Sequence, residues 1–197
     1  HNTANPILSG LVGSEMCIRD RYEKDPNEKV KKESNDLVEL MTPIIKALLT
    51  DYGVEITSDM LQIYGGHGYI KEYGMEQFYR DVRIAPIWEG TNGIQALDLA
   101  GRKMPQNMGR LLRRFFHPAL DFIEANKDDK EMKEFVVPFS KALKGLQKTT
   151  LFMAQKGLSN PYEIGAAATD YLRQFGLVAM GYMWLIMLKV AFSKREK

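Results

Sequence analysis

The chain has 197 residues, of which 45% are hydrophobic and 26% are charged, and its formal net charge is +2. These values are ordinary for a globular chain of one or two small domains. A charge so close to zero argues against nucleic acid as a partner, because nucleic-acid-binding domains usually carry a strongly basic face. The single cysteine, Cys17, excludes an internal disulfide, and the three histidines lie too far apart to form a metal-binding motif, so no metal is expected.

The first residues differ in character from the rest. Residues 1–21 show no clear periodicity, and residues 11–20, LVGSEMCIRD, resemble the conceptual translation of a sequencing-library adapter. They also lack the basic start and continuous apolar centre of a secretion signal. We therefore interpret residues 1–21 as a non-native segment and exclude them from the fold.

Apolar residues recur at helical spacing in the following part of the chain. The turn Asp25-Pro26-Asn27 predicts a helix start, and Tyr52-Gly53 predicts the end of that helix. A second helix is predicted from Val54 to about Tyr64, where a run of glycines stops it. A short helix is then predicted over residues 75–83.

The segment from Ile84 to Trp88 is expected to be extended, because Pro86 disfavours helical backbone at the residue before it. Helix is predicted to resume at Thr91, an acceptable N-cap residue, and to run to Gly101. Beyond Met104-Pro105, three long helices are predicted, over residues 111–125, 130–156 and 162–192. No strand alternation appears, so the predicted fold class is all-α.

The longest uncharged apolar run is Phe175 to Leu188, bracketed by Arg173 and Lys189. It is shorter than the roughly 18 residues that indicate a transmembrane helix. The run therefore predicts a buried core helix and no membrane span.

Residues 62–101 carry the residue types that packing alone explains least well. A glycine-rich turn, Gly65-Gly66-His67-Gly68, lets backbone N–H groups approach a ligand closely, although a simple helix–helix turn has the same composition. Glu89 follows an apolar stretch that ends at Trp88, and it precedes Gly90-Thr91-Asn92-Gly93. Desolvation by apolar neighbours would raise the pKa of such a carboxyl and make it a general base. A purely structural acid at a helix start fits the same position.

Three motifs in this stretch together resemble the C-terminal region of acyl-CoA dehydrogenases. They are Q-x-x-G-G-x-G-Y at residues 62–69, Y-R-D at residues 79–81, and E-G-T followed by I-Q at residues 89–95. The resemblance implies a helical bundle over residues 22–104 and a further helical extension over residues 105–197. The segments TNGIQALDLAGRK and TDYLRQFGLVAMGYMW further resemble the larger bacterial branch that includes enzymes acting on 3-methylmercaptopropionyl-CoA.

The resemblance also implies roles for individual residues. Glu89 would be the catalytic base that removes the α-proton of an acyl-CoA thioester. The other implied contacts are with the substrate, for Gly90 and Trp88, and with FAD, for Gln62, Gly65, Gly66, Thr91, Asn92 and Gly93. Of these, Gln62, Gly65 and Gly66 would meet the ADP part of FAD, typically that of a neighbouring subunit. Asn92 and Gly93 stand where the family often has Ser or Ala followed by Gln, and Trp88 stands where it often has Tyr.

The implied setting is that of a cytoplasmic bacterial flavoprotein, a homodimer or homotetramer, with electron-transfer flavoprotein as its electron acceptor. An acyl-CoA oxidase of the same fold and a non-catalytic helical assembly module are the alternatives. The family has an N-terminal helical domain and a middle β-domain that holds the flavin ring, and neither has a counterpart in this sequence. We therefore expect this chain alone neither to hold FAD tightly nor to turn over acyl-CoA.

Overall fold

The computed structural model of the protein describes residue 20, residues 23–88 and residues 90–195. The predicted non-native segment falls almost entirely outside these residues, and so does Glu89. The described residues form helices and turns without a β-strand, as the sequence predicts.

Helix α1 spans Glu28–Tyr64 and is the longest element. Asn27 caps its start, since the Asn27 side chain accepts a hydrogen bond from the backbone N–H of Lys29. Gly65, with φ of +59°, ends the helix and donates its N–H to the carbonyl of Gln62. The start at residues 25–27 and the end at the glycine run are both confirmed.

The predicted break at Tyr52-Gly53 is wrong, because α1 passes through both residues without interruption. Gly53 serves packing and does not cap a helix. A Cβ at this position would lie 2.9 Å from Cγ2 of Val82, which belongs to helix α2, Met75–Arg83. The glycine therefore allows α2 to approach α1 closely.

Two short 3₁₀ turns, Gly65–Tyr69 and Lys71–Tyr73, connect α1 to α2. The segment after α2 is not extended as predicted. Instead, the carbonyl of Ile84 accepts hydrogen bonds from the N–H groups of Ile87 and Trp88, at 2.9 and 3.1 Å. These local bonds hold the segment in a turn despite Pro86.

The remaining helices follow the predicted order, with ends shifted by a few residues. Helix α3, Asn92–Leu97, continues into a π-helical stretch, Asp98–Lys103. The long helices are α4 (Arg110–Asn126), α5 (Lys133–Ser159) and α6 (Pro161–Arg195).

One hydrophobic core joins the helices on both sides of Met104. Leu40 and Ile44 of α1, Leu111 of α4, Leu143 of α5 and Phe175 of α6 are all fully buried. Phe115 on α4 packs against Phe175, with ring centroids 5.0 Å apart. The core therefore fixes the position of α1, which carries the site described below.

Helix α6 is long and apolar enough to cross a membrane by length and composition, and it is the one such helix among the described residues. Its most apolar window has a mean hydropathy of 1.8 and is 28% buried. Tyr171, Phe175 and Leu185 lie in the core, whereas Leu177 and Trp184 are exposed. The prediction of a buried helix thus holds for one face of α6.

Candidate functional site

The segment between α2 and α3 contains the predicted base. Glu89 itself lies outside the described residues, but Trp88 and Gly90 on either side of it are described. The side chain of Trp88 is 57% exposed, and Ile84 and Ile87 are similarly exposed. Within the described part of the chain these three side chains therefore do not enclose an apolar pocket.

Gly90 adopts a backbone conformation that requires glycine. Its φ is +87°, in the left-handed region, and a Cβ would lie 2.8 Å from Nε2 of Gln95. The carbonyl oxygen of Gly90 accepts hydrogen bonds from Lys46 Nζ at 2.7 Å and from Gln95 Nε2 at 3.3 Å. The residue next to the predicted base is thus attached to α1 through Lys46.

The side chain of Asn92 forms a second attachment to α1. Its Nδ2 lies 2.7 Å from Asp51 Oδ1, 2.9 Å from Thr50 Oγ1 and 3.1 Å from the Ala47 carbonyl oxygen, and these three acceptors share its two hydrogens. Its Oδ1 accepts from Lys46 Nζ at 2.9 Å. Both ends of the amide are therefore engaged within the chain, and the backbone N–H of Asn92 donates to the Pro86 carbonyl at 3.1 Å. The FAD contact predicted for Asn92 stays a prediction.

Thr91 and Gly93 lie on the outer side of this attachment, and both are exposed. Thr91 occupies the N-cap position as predicted, but its side chain makes no capping hydrogen bond; its carbonyl accepts from the N–H of Gln95 at 3.0 Å. A Cβ on Gly93 would have no neighbour within 4 Å. The FAD contacts predicted for Thr91 and Gly93 stay predictions, and both residues are accessible for them.

An open groove of about 730 Å³ runs beside the Gly90 loop. One wall comes from α1 and the other from the α3 region, and the lining includes Thr42, Pro43, Gly90, Ile94, Gln95 and Leu97. Charged side chains, those of Glu39, Asp98, Arg102 and Lys103, complete the lining.

Charges at one end of the groove are compensated. Glu39 accepts hydrogen bonds from Asn35 at 3.0 Å and Gln106 at 3.1 Å, and it pairs with Lys103 at 3.4 Å. Burial raises the pKa of the Glu39 carboxyl, but the bonds from Asn35, Gln106 and Lys103 outweigh burial and lower that pKa overall. Glu39 is therefore ionised at neutral pH and offsets the charge of Lys103.

The glycine-rich turn forms the other predicted half of the site. Gln62, Gly65 and Gly66 are exposed, and a Cβ on either glycine would meet nothing within 4 Å. Gly68, in contrast, is buried, and a Cβ there would lie 2.7 Å from the carbonyl oxygen of Leu61. The backbone at Gly65 and Gly66 is thus open to an external group, while Gly68 serves the turn itself.

These two halves lie far apart on the same helix. Lys46, which holds Gly90, and Gln62 are both in α1, and a helix rises about 1.5 Å per residue, so roughly 24 Å separates them along its axis. The structure brings Gly90–Gly93 together with Lys46, Thr50 and Asp51, but it does not bring Gln62–Gly66 to the same place.

Sequence reasoning missed Lys46, Thr50 and Asp51 as site residues. They lie more than forty positions before the loop they hold and look like ordinary polar positions of an amphipathic helix. No local motif marks them. Among the described residues, no group of three His, Cys, Asp or Glu side chains is placed to hold a metal.

Comparison with protein families gives two matches. Residues 28–104 match the family model described as acyl-CoA dehydrogenase, C-terminal domain, and residues 115–197 match the one described as acetyl-CoA dehydrogenase C-terminal like. Together they take up most of the chain. The chain belongs to the acyl-CoA dehydrogenase family and corresponds to its C-terminal part, which confirms the family predicted from the three motifs.

Curated relatives agree with this assignment. The chain is 48% identical over 88 residues to the 3-methylmercaptopropionyl-CoA dehydrogenase of Ruegeria pomeroyi, a match that covers 45% of this chain and 15% of that protein. It is 27% identical over 161 residues to the broad-specificity linear acyl-CoA dehydrogenase FadE5 of Mycobacterium tuberculosis, covering 79% and 26%. The chain thus spans about a quarter or less of these two relatives.

Solved structures support the fold. The crystal structure of Caenorhabditis elegans ACDH-11 in complex with C11-CoA matches with a TM-score of 0.78 at 21% identity, over 91% of this chain and 30% of that one. The Bd2924 apo-form matches with a TM-score of 0.60 at 18% identity, over 88% and 29%. The predicted all-α bundle is confirmed.

Proposed function

We propose that the protein containing this chain is an FAD-dependent acyl-CoA dehydrogenase in which Glu89 removes the α-proton of an acyl-CoA thioester. The observation that carries the proposal is the attachment of Gly90 and Asn92, directly after Glu89, to Lys46 of α1 at 2.7 and 2.9 Å. General-base catalysis requires a carboxylate held in a fixed position, and the attachment of Gly90 and Asn92 to the longest helix of the fold supports that role.

The reaction assigns separate tasks to neighbouring residues. The carboxylate of Glu89 takes the α-proton, and negative charge develops on the thioester oxygen. A backbone N–H of the Glu89–Gly90 segment would stabilise that oxygen. Gly90 has no side chain to obstruct the thioester, and its φ of +87° excludes most replacements. Trp88, beside the base, would form a wall of the acyl site.

The residues present fit an FAD molecule at two places. The open backbone of Gly65 and Gly66, next to the exposed Gln62, can receive the ADP part, and the exposed Thr91 and Gly93 can lie against the cofactor near the base. Bound FAD would accept the β-hydrogen as hydride. The engaged Asn92 amide does not fit a direct side-chain contact with the cofactor.

The family resemblance implies an oligomer. We propose that Gln62–Gly66, about 24 Å along α1 from Lys46, serves the FAD of a neighbouring subunit in a homodimer or homotetramer. The rest of the active site would come from the part of the protein outside this chain. Electron-transfer flavoprotein is the proposed electron acceptor.

The substrate is proposed to be an acyl-CoA thioester. The 48% identity to a 3-methylmercaptopropionyl-CoA dehydrogenase makes this short sulfur-containing thioester the first candidate, with linear acyl-CoA substrates as the comparison.

The direct test replaces Glu89 in the natural protein that contains this chain. Glu89→Gln keeps the size and hydrogen-bonding capacity of the side chain but removes the base. We expect turnover with an electron-accepting dye to fall by about 10²–10⁴-fold, the usual contribution of a general base, while the FAD content stays unchanged.

Wild-type turnover by Glu89→Gln would contradict the assignment of the base. Running the wild-type assay with oxygen as the only acceptor separates the alternatives. Turnover with the dye but not with oxygen supports a dehydrogenase, and equal turnover with oxygen identifies an oxidase.

A further inference from the structure

We infer that Lys46 is a positioning residue for the base, and that it acts by fixing the backbone of Gly90 and Thr91. This inference rests on the proposed function and concerns the same loop. Lys46 is half-buried on α1, and its ammonium group contacts two residues of the loop at once.

The Lys46 ammonium group bridges two acceptors in the loop. Its Nζ donates to the Gly90 carbonyl at 2.7 Å and to Asn92 Oδ1 at 2.9 Å, so it spans Thr91 from one side. Both acceptors are neutral oxygens, and hydrogen bonds from a charged donor are stronger than those between neutral groups. The bond to Gly90 therefore orients a backbone carbonyl group. An exposed ion pair, in contrast, contributes little to stability.

The orientation of Asn92 is itself fixed from α1. Its Nδ2 donates to Asp51 Oδ1 at 2.7 Å and to the Ala47 carbonyl at 3.1 Å, which turns its Oδ1 toward Lys46. The chain of contacts runs from Asp51 through Asn92 to Lys46 and ends at Gly90. Each member keeps the next in place.

Fixing the Gly90 carbonyl has a consequence for Thr91. In a planar trans peptide the C=O and the following N–H point in opposite directions. Because the Gly90 carbonyl faces Lys46, the N–H of Thr91 faces away from α1. Gln95 Nε2 also donates to this carbonyl, but over a longer distance of 3.3 Å. Because glycine has wide backbone freedom, loss of the shorter bond from Lys46 would let the peptide between Gly90 and Thr91 rotate more easily and displace the residue before it.

The test compares three variants of the natural, FAD-loaded protein. Lys46→Met removes the donor but keeps the length of the side chain and a good helix former, so α1 should stay intact. Lys46→Arg keeps the cation. Lys32→Met is the matched control, because Lys32 is an exposed lysine of the same helix for which the described residues show no ion pair or side-chain hydrogen bond.

Two measurements are made on each variant. Hydrogen–deuterium exchange of residues 88–95 reports whether the loop is held, and steady-state kinetics report catalysis. We expect Lys46→Met to exchange faster in this segment and to lose about 10- to 100-fold in kcat, the cost of a misplaced catalytic group, with KM changed less than about twofold. Lys46→Arg should recover part of the kcat, and Lys32→Met should match the wild type in both measurements.

Unchanged exchange in Lys46→Met would overturn the inference, and so would faster exchange with wild-type kcat. A loss of kcat accompanied by loss of FAD and a lower thermal midpoint would also overturn it, since that pattern indicates general destabilisation. The failure of the proposed function is a different result, namely a wild-type protein that oxidises no acyl-CoA, and in that case exchange still decides whether Lys46 holds the loop.

Discussion

At the scale of single residues, the core contains a polar pair that is satisfied internally. Tyr171 of α6 and Thr150 of α5 are both buried, and their hydroxyl oxygens lie 2.9 Å apart. The Thr150 hydroxyl donates to the carbonyl of Leu146 at 2.8 Å. In the contact between the two hydroxyls, Tyr171 is therefore the donor and Thr150 the acceptor. Burial raises the pKa of Tyr171 to about 12.

Tyr171→Phe tests this pair through its pH dependence. At neutral pH we expect the variant to lose about 1 kcal/mol of unfolding free energy, the usual worth of one hydrogen bond, because Thr150 keeps its bond to Leu146. The pKa of Tyr171 is higher in the folded state than in the unfolded state, where it is about 10. The contribution of Tyr171 to the free energy of unfolding is therefore complete below pH 10 and is lost as the pH rises toward 12.

The wild-type protein should therefore lose stability between pH 10 and pH 12 more steeply than Tyr171→Phe does. Urea unfolding at a series of pH values measures the difference. Parallel curves for the two proteins across that interval would show that Tyr171 does not titrate as described.

At the scale of the elements, glycines decide where helices approach one another. Gly176 of α6 is buried against α1, and a Cβ there would lie 2.9 Å from Leu48 Cδ2 and 3.4 Å from Ile44 Cγ2. A Cβ on Gly181, about one and a half turns further along α6, would lie 3.5 Å from Cδ2 of Phe139, an ordinary van der Waals distance. The first glycine is required by close packing, and the second is not.

Alanine substitution at the two positions separates these cases. Replacing a helical glycine by alanine gains about 1 kcal/mol from backbone propensity at either position. Overpacking a core costs roughly 1–3 kcal/mol, so Gly176→Ala should be the less stable variant by that amount. Thermal or urea unfolding of both variants checks the difference, and equal stabilities would contradict the packing assigned to Gly176.

The sequence predicted most helices because their apolar spacing, caps and glycine stops are local signals. It failed at Gly53, where the reason for the glycine is Val82, a residue 29 positions away that faces it across the α1–α2 contact. It also failed at Ile84–Trp88, where hydrogen bonds to the Ile84 carbonyl override the preference set by Pro86. Both failures come from contacts that no local pattern contains.

The same limit applies to the candidate site. The motif predicted which loop matters, and the left-handed Gly90 agrees with the need for glycine there. The motif did not reveal that the Asn92 side chain faces α1 or that Lys46 holds the loop, because these contacts join residues more than forty positions apart. A role carried over from a motif therefore has to be checked against the contacts that each side chain makes in the structure.

At the scale of the whole molecule, the chain presents two separated parts of a site on one long helix. Large apolar side chains are exposed around them, including Ile63, Tyr69, Phe78 and Trp88. Exposed apolar surface of this extent usually marks an interface. The chain spans about a quarter or less of the two relatives compared above.

A prediction about cofactor binding follows from that arrangement. The 197-residue chain alone should bind FAD weakly and should lose it during gel filtration, because its open glycine turn and its base loop lie roughly 24 Å apart and neither encloses the cofactor. Absorbance of the purified chain measures retained flavin. One FAD per chain after gel filtration would contradict the proposal that the site is incomplete here.

The central claim is that Glu89 removes the α-proton of an acyl-CoA. The most direct measurement is exchange of α-hydrogens with solvent deuterium, using an acyl-CoA whose β-carbon carries no hydrogen, so that hydride transfer cannot occur. The FAD-loaded natural protein should exchange these hydrogens, and Glu89→Gln should bind the same thioester without exchanging them. Equal exchange rates in the two proteins would contradict the claim.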